Sequence, residues 1–292
     1  MILKNYNPFN INVAIARSLM AVALALTLLF TDIYDLFIVD VFVSKGETEL
    51  LKELSFFVLF GWQNLQIAKA VAILLLLMVV SGRFMKITSI LHWWITLSYM
   101  HTSALVEGGE QIAAIMTLAF IPLCWFDNRK SHWDNTVPLT SISKSALFVG
   151  QIIIALIFIQ ISYLYFQAGS AKLAFNEWKD GTVMYYWLTS NIFGFTPMTE
   201  YYILDEFILK NEFLLLLMAW GSMFVEIVLS FSLFSTWEFR KFAFVLGVSF
   251  HFVVYIFIGL ATFGLFMTAS LVIYALPPID KVPNLFKQSP TS

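Results

Sequence analysis

The costliest residue in this chain is a carboxylate. Glu226 sits in WGSMFVEIVLSFSLF, near the middle of an apolar run, where an ionisable group must find a partner or hold its proton. By depth its nearest candidate partner is His251. Glu226 lies nine residues before Ser235 and His251 ten after Lys241, so at 1.5 Å per residue both sit about 14–15 Å from one end of their helices. Two readings stand: a proton-handling or ligand-binding pair, and an interhelical hydrogen bond that glues a bundle. Lys172 is the second candidate, in YLYFQAGSAKLAFNEWKDGTVMYY from Tyr163 to Tyr186. Flanked by Leu173, Phe175 and Trp178, it is partly desolvated and can serve as a base. Position alone favours a plainer role, a lysine snorkelling to the membrane surface. Trp178, Tyr185, Tyr186 and Trp187 are candidate substrate contacts in an aromatic mouth, and they fit an interfacial belt equally well.

A third group is His101 with Glu107 and Glu110, in YMHTSALVEGGEQI. Gly108 and Gly109 permit a tight turn that places two carboxylates, with the imidazole, in one pocket. His plus two Glu without a helical spacing is a weak metal pattern, and capping of the next helix by Glu110 explains it as well; no metal is expected. Arg17, about a turn into the first apolar run, reads as a snorkelling residue, and CWFDNRKSHWDN, with Asp127, Arg129, Lys130, His132 and Trp133, as a connector whose charges set topology. A Gly-rich phosphate loop, His-Glu-x-x-His, Gly-x-Ser-x-Gly and a Rossmann fingerprint are all missing from the sequence.

The elements that carry these residues are built for lipid. Of 292 residues 60% are hydrophobic and 12% charged, against roughly 45–50% and 25% in soluble domains. A soluble globular fold is excluded. The formal net charge of −2, with 17 Lys+Arg against 19 Asp+Glu and no basic run, excludes a nucleic-acid partner. A single cysteine, Cys124, cannot build a disulfide framework or a cysteine-rich metal site, and reads as an apolar packing residue.

Eight runs could span about 30 Å of hydrocarbon: 11–30, 67–80, 87–105, 112–126, 146–166, 213–234, 242–258 and 260–276, the second and fourth being short for the purpose. With eight spans and a cytoplasmic N-terminus, ten cations fall inside, five outside and two, Arg17 and Lys69, within helices. That bias supports both termini being cytoplasmic. The expectation is therefore an all-α, polytopic helical bundle in the cell membrane, with a cytoplasmic N-terminus over 1–10, a transmembrane domain over 11–276 and a cytoplasmic tail over 277–292. Two long connections, 31–66 and 167–212, face outside in this arrangement, and within the second 183–195 reads as an interfacial or re-entrant helix.

Local motifs then carry a resemblance. YFQAGSAKL, from Tyr165 to Leu173, with Trp178 and Gly181 after it, and HFVVYIFIGLATF from His251 resemble stretches of the HTTM-fold membrane proteins, to which the vitamin K-dependent gamma-glutamyl carboxylase belongs. Lys172 falls on the second lysine of the carboxylase pair, assigned there as the base that deprotonates vitamin K hydroquinone; the first is Ala171 here. ARSLMAVALALTLLF around Arg17, EGGEQI from Glu107 and IPLCWFDNRKSHW from Ile121 look more like the bacterial SdpB (sporulation-delaying protein B) branch. That resemblance spans about residues 11–276 and implies maturation of an exported antimicrobial peptide precursor with an SdpA-like partner. The chain ends soon after its last apolar run, without the large lumenal region that holds the carboxylase's peptide, which counts against gamma-carboxylation. On this reading Lys172, Glu226 and His251 are the catalytic candidates and His101, Glu107, Glu110, Trp178, Tyr185 and Tyr186 the substrate contacts, at an extracytoplasmic mouth. Two alternatives stay open: a carboxylase-like or epoxidase-like enzyme using a membrane quinone, and a non-catalytic peptide-binding chaperone or immunity protein.

Overall fold

In the computed structural model, which describes residues 6–39, 42, 53–190 and 204–281, each of the eight apolar runs lies wholly or for most of its length in a helix. These are α1 (Ile11–Phe30), α2 (Leu65–Ser81), α3 (Met85–Thr102), α4 (Gly108–Phe126), α5 (Lys144–Lys172), α8 (Glu212–Phe231), α9 (Trp237–Ile258) and α10 (Ala261–Ala275), with short helices α6 (Asn176–Asp180) and α7 (Thr182–Leu188) between α5 and α8. The protein is an all-α, polytopic membrane protein. Among the described residues six helical stretches are long and apolar enough to cross a bilayer, α2 counting from Trp62 and α8 running on to Phe234. The shortfall against eight is not where the sequence put it. The second and fourth runs extend into stretches of 20 and 19 residues, whereas α10 has only 15. α3 is diluted by polar residues, Thr88, Ser89, His92, Thr96 and Ser98, all of which are buried in the protein. The expected helix over 183–195 is realised as α7, while 191–195 lies outside the described residues.

The chain divides into two compact units. One takes in the described residues up to Val106, Ala113–Ala155 and those from Pro277; the other consists of Glu107–Ile112 and Leu156–Leu276. In the first, small residues let helices approach closely: Ala14, Ala16, Ala21 and Ala23 of α1 and Ala68 and Ala72 of α2 are fully buried, as expected where the partner is another helix and not lipid. Asn10 caps α1 by accepting from the Val13 amide at 3.3 Å, satisfying a donor the helix cannot pair itself. Asn12 donates to the Pro277 carbonyl at 3.0 Å and accepts from the Ile279 amide at 3.1 Å.

Arg17 does not snorkel. It is fully buried, with Nη2 donating to Thr88 Oγ1 at 2.6 Å and Nη1 bonded to His132 Nδ1 at 3.2 Å. The connector before α5 is likewise more than a charge carrier: Asp127 and His132 are buried, and Asp127 clamps Arg129 through both oxygens.

In the second unit, α5 from Leu156 onward packs with α8, α9 and α10. The buried face of α9 reads Arg240, Ala243, Gly247, His251, a helical i, i+3, i+7, i+11 stripe. Arg240 lies 4.4 Å from the Phe158 ring, 4.5 Å from Trp237 and 5.0 Å from Tyr274, and it donates to the Tyr274 carbonyl. Aromatic faces attract a cation set against them.

Gly181, the αL residue between α6 and α7, has φ +87°, and a Cβ there would stand 2.6 Å from Leu216 Cα. Gly259, after α9, has φ +84° but open space around it. Alanine at either site pays for the left-handed backbone, and only at Gly181 does it also collide with α8. Gly181→Ala is therefore expected to lower the thermal stability of the detergent-solubilised protein by about 2 kcal/mol more than Gly259→Ala does; equal losses would contradict the close approach.

Candidate functional site

The site is built on one face of α5. Ser162, Tyr165, Gly169 and Lys172 recur at heptad spacing and so point the same way. On α8 the facing stripe is Ala219, Met223, Glu226 and Ser230, all buried. The two helices run antiparallel in register: Ser162 donates to the Ser230 carbonyl at 2.9 Å, and a Cβ on Gly169 would meet Ile227 at 3.1 Å and the Met223 carbonyl at 3.2 Å. Gly169 thus sets how close the helices come, and everything beyond it follows.

Lys172 reaches Glu226. Its Nζ donates to both carboxylate oxygens, at 2.5 and 2.6 Å, with 19% of the lysine side chain and 8% of the glutamate exposed. The reason is directional. Helical side chains lean toward the helix N-terminus, so a lysine on the last residue of α5 leans back along the helix and drops to Glu226. The snorkelling reading fails on that geometry. Trp178 covers the pair, its ring 4.6 Å from Nζ.

His251 is not the partner of Glu226. Its Nε2 lies 2.9 Å from the Tyr165 hydroxyl, its ring packs edge-on against Phe263 at 5.3 Å, and Nδ1 has no partner among the described residues. Tyr165 is the member that sequence reasoning missed. One tyrosine in YLYF carries no signal of its own, and only its spacing of seven from Lys172 could have singled it out. The four groups form two bonded pairs side by side, since Tyr165 feels the charge of Glu226 and His251 that of Lys172.

α7 flanks this region through Val183, Met184 and Leu188, which pack on Leu215 and Ala219 of α8, while Tyr185 and Tyr186 are exposed. Trp220 Nε1 donates to the Lys179 carbonyl at 3.1 Å, tying α6 to α8. The Glu107–Glu110 turn belongs to the same unit. Glu110 accepts from the Glu107 amide at 2.9 Å, a side chain reaching back to cap α4, and Gly109 lies against Phe263 and Phe266, where a Cβ would come within 2.9 Å of Phe266 Cδ2. His101 lies in the last turn of α3, in the first unit.

A paired amine and carboxylate in apolar surroundings share one proton. On nitrogen it makes a salt bridge; on oxygen it leaves a neutral amine, which is basic and nucleophilic, beside a neutral acid. Net charge is the same in both forms, so low polarity does not forbid the exchange. Tyr165 and His251 offer a second proton-passing pair next to it.

Burial and the neighbouring Glu110 push the Glu107 carboxyl up to about 7. The folded state then binds a proton that the unfolded chain has already released, so stability falls as pH rises from about 4.5 to 7 and levels off beyond. Glu107→Gln is expected to remove that part of the pH dependence, read as thermal midpoint against pH. An unchanged slope would contradict the assignment.

No protein-family model matches the chain, and no solved structure matches it. Two proteins of Bacillus subtilis (strain 168) do. The uncharacterized protein YitO is 31% identical over 280 residues, which is 94% of this chain and 87% of YitO. The sporulation-delaying protein SdpB is 30% identical over 277 residues, 93% of this chain and 83% of SdpB. With identity at that level along nearly its whole length, helices and candidate site included, the chain belongs to the family of the sporulation-delaying protein SdpB.

Proposed function

We propose that this protein is a maturation factor for an exported, sporulation-delaying-type antimicrobial peptide, acting by acid–base chemistry at the Lys172–Glu226 pair. The observation that carries the reading is the pair itself: an amine and a carboxylate held 2.5 Å apart at the end of α5, capped by Trp178 and flanked by the exposed tyrosines of α7. A membrane bundle does not need such a pair for stability, because burying two charges costs about as much as their attraction returns. Retained ionisable groups at such positions serve function more often than packing.

In this reading the peptide precursor lies along α7, with Tyr185 and Tyr186 as contacts, and reaches the pair past Trp178. Transfer of the shared proton from Lys172 to Glu226 leaves a neutral amine, the base that takes a proton from the peptide, while substrate polar groups take over the hydrogen bonds of the protonated Glu226. Tyr165 and His251 accept or return a proton on the far side. The resemblance to the carboxylases implies a membrane quinone, whose oxygens Lys172 and the Tyr165 hydroxyl would meet. No step here passes through a quinone. Location in the cell membrane with cytoplasmic termini, a site on the extracytoplasmic face and an SdpA-like protein acting beside it complete the proposal, supported by the cation distribution and by the kinship with SdpB.

The test is mass spectrometry of the secreted peptide from cells carrying wild-type protein or Lys172→Ala. The expected result is loss of the mature mass, with the unprocessed form accumulating and the membrane protein still present. A mature, active peptide of unchanged mass from Lys172→Ala cells would overturn the reading and leave a binding role on the α7 tyrosines.

A further inference from the structure

In the other unit, Arg17 is a fully buried cation with no carboxylate of the described residues in ion-pair contact. Asp127, which shares its neighbourhood through Cys124, is already held by Arg129, whose Nε and Nη2 grip both oxygens at 2.7–3.0 Å. A buried charge left without an opposite one is costly enough that proteins pair it. Two of the guanidinium nitrogens are placed by neutral groups, Nη2 on Thr88 and Nη1 on His132. His132 is clamped in turn, packed against Gly82 with its own amide donating to the Gly82 carbonyl at 3.2 Å. These neighbours orient Arg17 and do not neutralise it.

Two of the groups here hold polar atoms that find no partner among the described residues: Arg17 at Nε, and His92 at both ring nitrogens. His92 is 1% exposed and Thr96 2%. Thr88, His92 and Thr96 follow one another at i, i+4 and i+8 on the buried side of α3, so His92 is one turn on from the hydroxyl that holds Arg17. His92 is close enough to Arg17 to feel its charge. Buried polar groups are nearly always bonded to something. Here Arg17 Nε is a donor, the His92 ring offers an N–H, and the two come from different helices, α1 and α3.

We infer that this is an anion site, holding a phosphate-type oxyanion on Arg17 Nε and Nη2 with the His92 ring N–H as a further donor. A tetrahedral oxyanion presents several acceptor oxygens to donors arriving from different elements, and Arg is the side chain suited to grip it. Arg17 is the seventh residue of α1, about 9 Å from its start, and the same oxyanion chemistry is offered by inorganic phosphate and by a lipid headgroup phosphate. The site is separate from the Lys172–Glu226 pair and does not depend on the function proposed for it.

The experiment uses the purified full-length protein, with the thermal midpoint followed by tryptophan fluorescence. In phosphate-free detergent micelles, sodium phosphate is titrated against sodium chloride at constant ionic strength. In nanodiscs, phosphatidylglycerol is compared with phosphatidylcholine. A saturable rise in midpoint with phosphate identifies the free ion, and a rise confined to phosphatidylglycerol identifies the headgroup. Either is the expected result, provided it disappears in Arg17→Met. Should Arg17→Met fail to fold, His92→Phe keeps the cation and is expected to weaken the midpoint of the titration about tenfold. No saturable rise with either probe, or a rise of wild-type size and midpoint in both variants, would overturn the proposal.

Discussion

A carboxylate placed two-thirds of the way along an apolar helix has to be neutralised, and in this protein the arrangement of the second unit follows from how that is done. Glu226 is met by a lysine from the end of a different helix, at 2.5 Å, and for the lysine to arrive the two helices must run antiparallel at close quarters. Gly169 provides the closeness and Ser162, bonded to the Ser230 carbonyl, the register. Removing one partner of such a pair and leaving the other buried costs about 3–5 kcal/mol. That penalty holds the two charges together, while the pair as a whole adds little net stability.

The neighbouring groups make the pair more than a clasp. Tyr165 and His251 are bonded to each other within the same packed region, and His251 is set by α10, where Phe263 stacks edge-on against its ring and the His251 carbonyl would lie only 3.4 Å from a Cβ on Gly264. Four ionisable or proton-passing side chains from three helices meet among aromatic residues. A few turns away on α9, Arg240 packs against three aromatic rings and donates to the Tyr274 carbonyl.

Much of this was legible before the fold. Hydropathy located all eight helices, and isolated ionisable residues in apolar runs drew attention to Lys172, Glu226 and His251. Their pairing was not legible, for a definite reason: depth counted along the backbone matched Glu226 with His251, but a lysine leans a turn toward its helix N-terminus, which a count of residues ignores. Arg17 was misread by the same omission in reverse. An arginine near a helix start can turn toward the surface, and nothing local reveals that His132, 115 residues away, waits to hold it inside. Tyr165 was hidden among other aromatics, and the two-unit division of the chain leaves no mark in a sequence that is apolar throughout.

The central claim is that Lys172 and Glu226 are kept for chemistry and not for stability, and replacing both by methionine tests it most directly. Apolar side chains of similar length remove both charges together and leave neither uncompensated, so the fold should tolerate the change or gain from it. The account predicts a Lys172→Met/Glu226→Met protein that reaches the membrane in wild-type amount, melts no lower than wild type, and yields no mature peptide. Full peptide maturation by that double variant would contradict it.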